Sequence, residues 1–393
     1  MPARCAGTSA GPPRFAVVGN PENRRVRLFT RAVRDAGLPA PRLVAWVDVL
    51  RDGGAVFEPY ETVRLDSPGE NAEVDRALRG VDDPTRVEGG ARWYARFTGA
   101  LRTLTGGVRL DDPDELAVLF DKRRCHAVLD GAGVPVPASP TSGGRTPVRG
   151  WDDVRALMSE HGMPRVFVKP AHGSSASGVL AVESARGRIR VTTSVESSDG
   201  RLYNSLRVRR VTSEREAAAL VDALAPDGLH VERWWPKASL GDGRAADLRV
   251  VVTGGRATHA VVRTSRHPMT NLHLGGRRGD LSAAIEAAGP YWTGALEICE
   301  RAAACFPGTL CVGVDLLPAV GWRRFAVAEV NAFGDLLPGL TGLPGSGAEG
   351  LDTYAAQVAA VQRHDAPHHD APHHDEQHHP VPHHHARNHR ATA

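Results

Sequence analysis

The stretch that decides the fold is Gly313-Val-Asp-Leu-Leu317, which is followed by Ala326-Val-Ala-Glu-Val-Asn331. Both runs are short, apolar and rich in β-branched residues, which is typical of buried strands. Side chains two residues apart share one face of a strand. We therefore expect Glu329 and Asn331 to project together, while Ala328 faces the other way. The pattern predicts two adjacent strands that carry acidic and amide groups.

A metal site is the chemistry that these strands favour. A carboxylate in so apolar a setting is costly unless it meets a cation. Asp315, Glu329 and Asn331 offer hard oxygen ligands that suit Mg²⁺ or Mn²⁺. Magnesium normally completes its coordination with water and substrate phosphates. The alternative is a buried carboxylate that pairs with an arginine.

Composition sets limits on the class of protein. The chain has 393 residues, enough for two or three domains, and its apolar and charged fractions of 41% and 24% are ordinary. The net charge of +3 argues against a nucleic-acid partner that binds a broad basic face. Five cysteines without a CxxC pair indicate a reducing compartment. No signal peptide and no apolar run of about 18 residues is evident, so we expect a cytoplasmic protein without a membrane partner.

Lysine is scarce in this chain. Only three of the 48 basic residues are lysine, namely Lys122, Lys169 and Lys237. Where either cation would serve, the sequence has arginine, so a lysine indicates a need for a compact ammonium on a flexible stem. We expect such a role for Lys122 and Lys169, and chance survival at an exposed site for Lys237.

The N-terminal part predicts a Rossmann-like domain over residues 15–115. A strand at Arg14–Gly19, a helix near Arg24–Ala36 and a strand at Leu43–Asp48 form a βαβ pattern. The turn after the first strand lacks GxGxxG, so dinucleotide binding is not indicated.

The rest of the sequence predicts long helices between the strands, and it predicts polar segments at both ends of the chain. One helix is expected over 111–132 and another over 281–305. Residues 1–14 are rich in proline, glycine and alanine, and residues 363–393 are rich in histidine, proline and aspartate. We expect a disordered leader and a disordered tail, because neither segment can bury a core.

A lysine-ended strand leads into a loop of small residues. Phe167-Val-Lys169-Pro170 precedes a Gly/Ser segment that includes Gly173, Ser174 and Ser175. Small residues let backbone N–H groups approach phosphate oxygens, and serine hydroxyls add donors. A P-loop is excluded, because no GK[ST] follows. The alternative is an ordinary Gly/Ser hairpin.

A hairpin over 246–264 brings arginines onto strand faces. Asp247 and Arg249 share one face, and Arg263 lies on the partner strand. Arginines on an inward face suit triphosphate oxygens, which they bind in bidentate fashion. The alternative is cross-strand pairing on a solvent face.

A tryptophan pair ends the preceding strand. Glu232, Arg233, Trp234 and Trp235 stand where a linker can offer backbone amides to an adenine edge. Tandem tryptophans more often belong to a core than to a stacking platform.

These elements follow one another as in the ATP-grasp superfamily, and the chain resembles RimK-type ligases and glutathione synthetases over about 116–340. Phe120-Asp-Lys122 resembles the family's opening helix, and Asp247-Leu-Arg249 its Asp-Ile-Arg strand. Asn271-Leu-His-Leu-Gly-Gly276 resembles the Asn-Leu-His-Arg-Gly-Gly loop over the reacting phosphate. Leu274 departs from that pattern, because arginine usually stands there, and Arg277 or Arg278 would have to replace it.

The resemblance implies two α+β subdomains, at 116–225 and 226–362, with ATP between them. It implies a ligase that activates a carboxylate as an acylphosphate and releases ADP. Mg²⁺ would be held by the three oxygen ligands above, and the phosphates would be bound by Lys122, Lys169 and Arg249. Arg263 and Asn271 would orient the carboxylate.

The resemblance implies a small-molecule or peptide carboxylate and an amine or thiol nucleophile as partners. A homodimer is a possible assembly. Two alternatives stay open: a nucleotide-binding regulator that has lost catalysis, which Leu274 favours, and a ligase that modifies a ribosomal peptide. The sequence does not choose the carboxylate.

Overall fold

The computed structural model describes residues 12–173, 176–333 and 339–365, which form three β-sheets with flanking helices. The expected leader and tail lie outside the described residues except for 12–14 and 363–365. The last three belong to a helix. Within the described ranges, no helix is long and apolar enough to cross a membrane.

The first sheet is parallel, in the order β2-β1-β3-β4. Its strands β1 to β4 are Arg14–Gly19, Arg42–Ala45, Ala55–Leu65 and Leu104–Arg109. Helices α1 to α4 are Arg24–Asp35, Trp46–Asp52, Ala72–Arg79 and Gly90–Arg102. The Rossmann-like arrangement is confirmed. The expected strand over 43–48 is wrong in its second half, because Trp46 begins α2 and is fully buried, with its Nε1 donating to Asp66 O at 2.9 Å.

A break divides the helix that was expected over 111–132. Helix α5 is Pro113–Leu119 and helix α6 is Lys122–Gly131. Asp121 ends the first segment and caps the second, since its Oδ1 accepts hydrogen bonds from Arg123 N at 2.9 Å and Arg124 N at 3.4 Å. The cap makes Lys122 the first residue of α6.

The second sheet is antiparallel, in the order β8-β7-β6-β5-β9. Its strands β5 to β9 are Arg165–Pro170, Leu180–Ala185, Arg188–Ser198, Arg201–Val211 and Leu229–Arg233. Helices α7 and α8, Trp151–Glu160 and Glu214–Leu224, pack together on one face. Valine and leucine side chains from the strands and both helices form a common core there.

The third sheet, also antiparallel, has the order β13-β12-β11-β14-β15, with β10 beside β11. Strands β10 to β15 are Ser239–Leu240, Arg244–Thr253, Arg256–Ser265, Arg277–Arg278, Cys311–Pro318 and Phe325–Ala332. Helices α9 and α10 are Leu281–Ala288 and Trp292–Ala304. The single helix expected over 281–305 is wrong, because Gly289 ends α9 at φ 49° and Pro290 cannot donate to a continuing helix.

A β-bulge interrupts the pairing of β14 with β15. Asp315 lies opposite Glu329, whereas Leu316 lies opposite Val327, so Ala328 is an extra residue. Ala328 is half-buried and lines the same cleft as Glu329. The expectation that these two residues face opposite ways is wrong, because the bulge breaks the strict alternation of the strand.

The C-terminal helix α11, Thr353–Asp365, connects the first and third sheets. It packs against α1 and against β11 and β12. Tyr354, Val358 and Val361 share an apolar cluster with Phe15 and Phe29. The domain boundaries at 115, 225 and 362 stay predictions, and α11 contacts elements on both sides of the first two.

We expect Val358→Ala to lower the free energy of unfolding by roughly 2 kcal/mol, because two buried methyl groups are lost and a cavity is left. Val358 is 1% exposed, whereas Arg363 on the same helix is exposed. Urea denaturation followed by circular dichroism measures the change, and Arg363→Ala is the control. Equal stability of both variants and the wild type would contradict the packing of α11.

Candidate active site

A cleft of about 690 Å³ lies where the second and third sheets face each other. Strands β5 and β9 contribute Lys169 and Glu232 from one side. Strands β11 and β14 contribute Arg249 and Asp315 from the other. The loop after β3, at Ser67, closes the end next to the first sheet. Residues far apart in the sequence thus meet around one cavity.

Asp315 is held between two arginines at the base of the cleft. Its Oδ1 accepts from Arg249 Nε at 2.5 Å and from Arg263 Nη2 at 2.9 Å, and its Oδ2 accepts from Arg249 Nη2 at 3.2 Å. Burial raises the pKa of this carboxyl, but the two guanidinium groups outweigh burial and hold the pKa well below its usual range. Asp315 is therefore a carboxylate. Its pairing with two arginines is what the alternative to a metal site predicted.

Glu329 pairs with the first residue of α6. Lys122 Nζ lies 2.9 Å from Glu329 Oε1 and donates to Gly173 O at 2.8 Å. Asn331 lines the cleft and donates from Nδ2 to Gly313 O at 3.2 Å. The amide side chain is thereby held next to both carboxylates.

The donor set fits Mg²⁺ better than a metal that needs many protein ligands. Asp315 lies directly opposite Glu329 in the sheet, and Gly313 lies opposite Asn331. The described part of the chain contains no cluster of three or more His, Cys, Asp or Glu side chains that could hold a metal. Two carboxylates and one amide match the few protein ligands that Mg²⁺ takes when phosphates supply the rest.

Lys169, Glu232 and His230 form a buried triad on the opposite side. Lys169 Nζ lies 2.5 Å from Glu232 Oε1, and His230 Nε2 lies 3.3 Å from Oε2. Burial raises the pKa of Glu232, but Lys169 and His230 outweigh it and lower the pKa to about 2. Burial also lowers the pKa of His230, so its imidazole is neutral near pH 7.

Known proteins are similar to this chain in sequence and in fold. No family model matches the chain. A probable alpha-L-glutamate ligase of Xanthomonas campestris (strain B100) is 30% identical over 227 residues, which cover 57% of this chain and 60% of that protein. A probable alpha-L-glutamate ligase of Xanthomonas oryzae (strain MAFF 311018) is 29% identical over 270 residues, which cover 68% of this chain and 73% of that protein.

Two solved structures superpose on nearly the whole chain. The D-cycloserine synthetase DcsG has a TM-score of 0.52 and 16% identity, with 90% of this chain and 99% of that chain covered. The ATP-grasp ligase PsnB, complexed with a minimal precursor, has a TM-score of 0.50 and 17% identity, with 89% and 99% covered. This chain has the ATP-grasp fold. The expected fold and the resemblance are confirmed. The chain spans 60% of the length of the Xanthomonas campestris relative.

The four residues expected at the adenine hinge of the ATP-grasp fold separate into two pairs. Glu232 and Trp235 line the cleft, whereas Arg233 and Trp234 do not. The N–H groups of Arg233 and Trp234 donate to Ala138 O at 2.8 Å and Arg165 O at 3.0 Å, so they are already used within the protein. Trp234 packs on Phe167, as expected of a core tryptophan.

The Gly/Ser segment that follows β5, called the flap from here on, begins with residues that are held by α4 and α6. Gly173 lines the cleft, while Ser174 and Ser175 lie outside the described residues. The backbone N–H of Lys122 donates to Ala171 O at 3.0 Å, and the His172 ring stacks on Tyr94 with a centroid distance of 4.0 Å. The base of the flap is thus attached to the start of α6.

The loop after β12 places Asn271 in the cleft, where its Oδ1 accepts from His273 N at 2.8 Å. Leu274 is only 3% exposed and packs in an apolar cluster with Met269. Arg278 lines the cleft and Arg277 does not. Of the two arginines of β13, Arg278 is therefore the one that reaches the cleft.

Three polar or charged residues of the cleft were not assigned to the site from the sequence. Lys237, Asp247 and Thr270 all line the cavity, and Asp247 accepts hydrogen bonds from Arg263 Nε at 2.8 Å and from Thr270 Oγ1. The expectation of chance survival at an exposed site is wrong for Lys237, whose side chain is 9% exposed. The scarcity of lysine was the signal that could have found it, because all three lysines line this one cleft.

The depressed pKa of Glu232 predicts a pH-dependent contribution to stability. A carboxylate whose pKa falls from 4.5 to about 2 on folding stabilises the fold above pH 4.5, and the contribution is lost as the pH falls toward 2. We expect Glu232→Gln to be less stable than the wild type by about 3 kcal/mol at pH 7. This difference should shrink below pH 4.5.

Urea denaturation at pH 7, 4 and 3 measures the difference between the two proteins. Glu160→Gln, at an exposed position, is the matched control and should show no such trend. A difference between Glu232→Gln and the wild type that stays constant from pH 7 to 3 would contradict the ion pair with Lys169.

Proposed function

We propose that this chain is an ATP- and Mg²⁺-dependent ligase that activates a carboxylate as an acylphosphate and releases ADP. One observation supports this proposal above the others. All three lysines of the chain and two arginines, Arg249 and Arg263, line a single cleft with Asp315 and Glu329. Phosphoryl transfer requires little covalent chemistry from the protein, so an array of fixed charges around a metal site is what it needs.

Asp315, Glu329 and Asn331 would hold Mg²⁺ or Mn²⁺. When bound there, the metal would offset the negative charge of the phosphates. Lys122, Lys169 and Arg249 would bind the phosphates.

The cations of the cleft would exchange partners during binding. Lys122 now pairs with Glu329, and Arg249 with Asp315. Lys122 would turn from Glu329 to a phosphate oxygen, because its flexible stem permits this. Arg263 keeps Asp247 as a second partner at 2.8 Å, so it can orient the substrate carboxylate without leaving a buried charge unpaired.

The reacting carboxylate would lie between Arg263 and Asn271. Arg278 would stand in for the arginine that Leu274 replaces, which opposes the alternative of a regulator that has lost catalysis. The nucleophile would enter from the end of the cleft next to the first sheet, where Arg25 and Ser67 contribute to the lining. An amine is the nucleophile favoured, since the curated relatives are named glutamate ligases.

A peptide carboxylate is the second substrate class considered, because PsnB is named as complexed with a precursor. Nucleic acid and membrane are not among the proposed partners. The described cysteines, Cys125, Cys299, Cys305 and Cys311, are free thiols, which fits the proposed cytoplasmic location.

The proposed reaction predicts ADP and phosphate as products. Pools of carboxylates and amines are incubated with the protein, ATP and Mg²⁺, and the nucleotides are separated by chromatography. We expect ADP release that depends on both a carboxylate and a nucleophile. AMP and pyrophosphate, or ADP release that neither pool affects, would contradict an acylphosphate mechanism.

The metal site predicts a large kinetic effect for Glu329→Gln. The replacement keeps the shape of the side chain and removes one negative charge, so Mg²⁺ is held less tightly. We expect turnover per folded molecule to fall by roughly 10²–10³-fold, beyond any loss of stability that the lost pair with Lys122 causes. Melting curves and turnover are measured on the same preparation, with Glu160→Gln as the control.

The rival role of Glu329 is simply to pair with Lys122. Removal of the charge would then leave a buried cation without its carboxylate, which costs roughly 3–5 kcal/mol of stability. A variant that melts much earlier yet keeps its turnover per folded molecule would overturn the assignment of Glu329 as a metal ligand.

A further inference from the structure

Lys237 is a buried ammonium with too few acceptors. Its side chain is 9% exposed, and its Nζ donates to Thr270 Oγ1 at 3.0 Å. The nearest carboxylate oxygen, Asp247 Oδ2, is 3.7 Å away, which is beyond hydrogen-bond distance. An ammonium has three N–H donors. Among the described residues, therefore, only one of the three meets an acceptor.

The other two lysines of the cleft are better compensated. Lys122 has a carboxylate at 2.9 Å and a carbonyl at 2.8 Å, and Lys169 has a carboxylate at 2.5 Å. Burial lowers the pKa of Lys237, and Asp247 offsets this only in part. For Lys169, the pairing with Glu232 outweighs burial and raises the pKa. Lys237 is the lysine whose charge most needs an anion.

The carboxylates near Lys237 are already engaged by other groups. Asp247 already accepts from Arg263 Nε and from Thr270 Oγ1. Arg263 and Lys169 add positive charge nearby, and Asp315 is engaged by two arginines. A buried charge without compensation is costly, so a position of this kind calls for an explanation.

The backbone holds this lysine at the cleft. Lys237 forms a β-bridge with Ala319, and the next residue, Ala238, donates from its N–H to Pro318 O at 2.8 Å. The end of β14 thereby fixes the start of the side chain. The four-carbon stem leaves the ammonium free to turn from Thr270 toward a ligand in the cavity.

We propose that Lys237 is a third nucleotide-binding lysine, whose ammonium donates to an anionic phosphate oxygen of the bound nucleotide. This inference rests on the proposed ATP-dependent function. Thr270 holds the ammonium in place until the anion arrives. A phosphate oxygen supplies both the missing acceptor and the missing negative charge. Arginine would be a poor replacement, because a planar fork cannot pivot between one hydroxyl and a ligand as a point charge can.

Lys237→Met tests the proposal, because methionine has a similar length and no charge. The probes are the non-hydrolysable ATP analogue AMPPNP with Mg²⁺, and adenosine, with affinities from isothermal titration calorimetry. We expect the Kd for AMPPNP to rise by roughly 10- to 100-fold, as for a lost hydrogen bond to a charged group, with the Kd for adenosine unchanged. Arg215→Met, which removes an exposed charge on α8, should change neither affinity.

A purely structural role for Lys237 makes different predictions. The melting temperature without ligand would then fall in Lys237→Met, and both probes would lose affinity equally. We expect instead an unchanged or higher melting temperature, since an uncompensated buried cation is removed. An equal loss for both probes, or a loss for adenosine alone, overturns the proposal.

The wild type separates this inference from the function on which it rests. A wild-type protein that binds neither probe defeats the proposed ATP-dependent activity, and the role of Lys237 with it. A wild-type protein that binds AMPPNP, together with a Lys237→Met variant of the same affinity, defeats only the role of Lys237.

Discussion

The compensation of buried charge at Asp315 is the constraint on which the cleft depends. Arg249 lies opposite Asp315, and Asp315 lies opposite Glu329, on three adjacent strands of one sheet. A register shift of one residue would turn these side chains to the other face and leave them buried among valines. The register of the strands therefore depends on the charge pairs of the site, and the charge pairs depend on the register. This mutual dependence explains how charged side chains persist at the base of the cleft in an otherwise apolar sheet.

This balance also decides how the cleft can accept a ligand. Its carboxylates and cations are satisfied mainly by one another, as between Lys122 and Glu329 and between Lys169 and Glu232. A nucleotide alone would add negative charge beside these carboxylates, and a metal alone would add positive charge beside these cations. A metal and a nucleotide that arrive together bring charges of both signs. Each internal pair can then be exchanged without an unpaired charge, which favours binding of the complex over either component.

The sequence revealed much of this arrangement, because strand alternation and the order of motifs depend on local chemistry. It did not reveal the bulge at Ala328, since an extra residue in one strand depends on how the partner strand pairs. It did not reveal the break before Lys122, where Asp121 prefers to cap a helix rather than to continue one. The burial of Lys237 was not predicted for a different reason. Its burial comes from the end of β14, about 80 residues away in the sequence, and no local pattern carries that information.

One physical rule accounts for the choice between lysine and arginine at four positions of the cleft. Arg249 and Arg263 bind Asp315 with several nitrogens across strands that do not move, and a planar fork suits such a fixed carboxylate. Lys122 and Lys237 instead contact partners that can be exchanged, namely the carbonyl of Gly173 and a threonine hydroxyl. A compact ammonium can change partners with little rearrangement, whereas a guanidinium loses its geometry when one contact breaks. In a chain that otherwise uses arginine almost everywhere, Lys122 and Lys237 stand where the proposed function would require a bond to be exchanged.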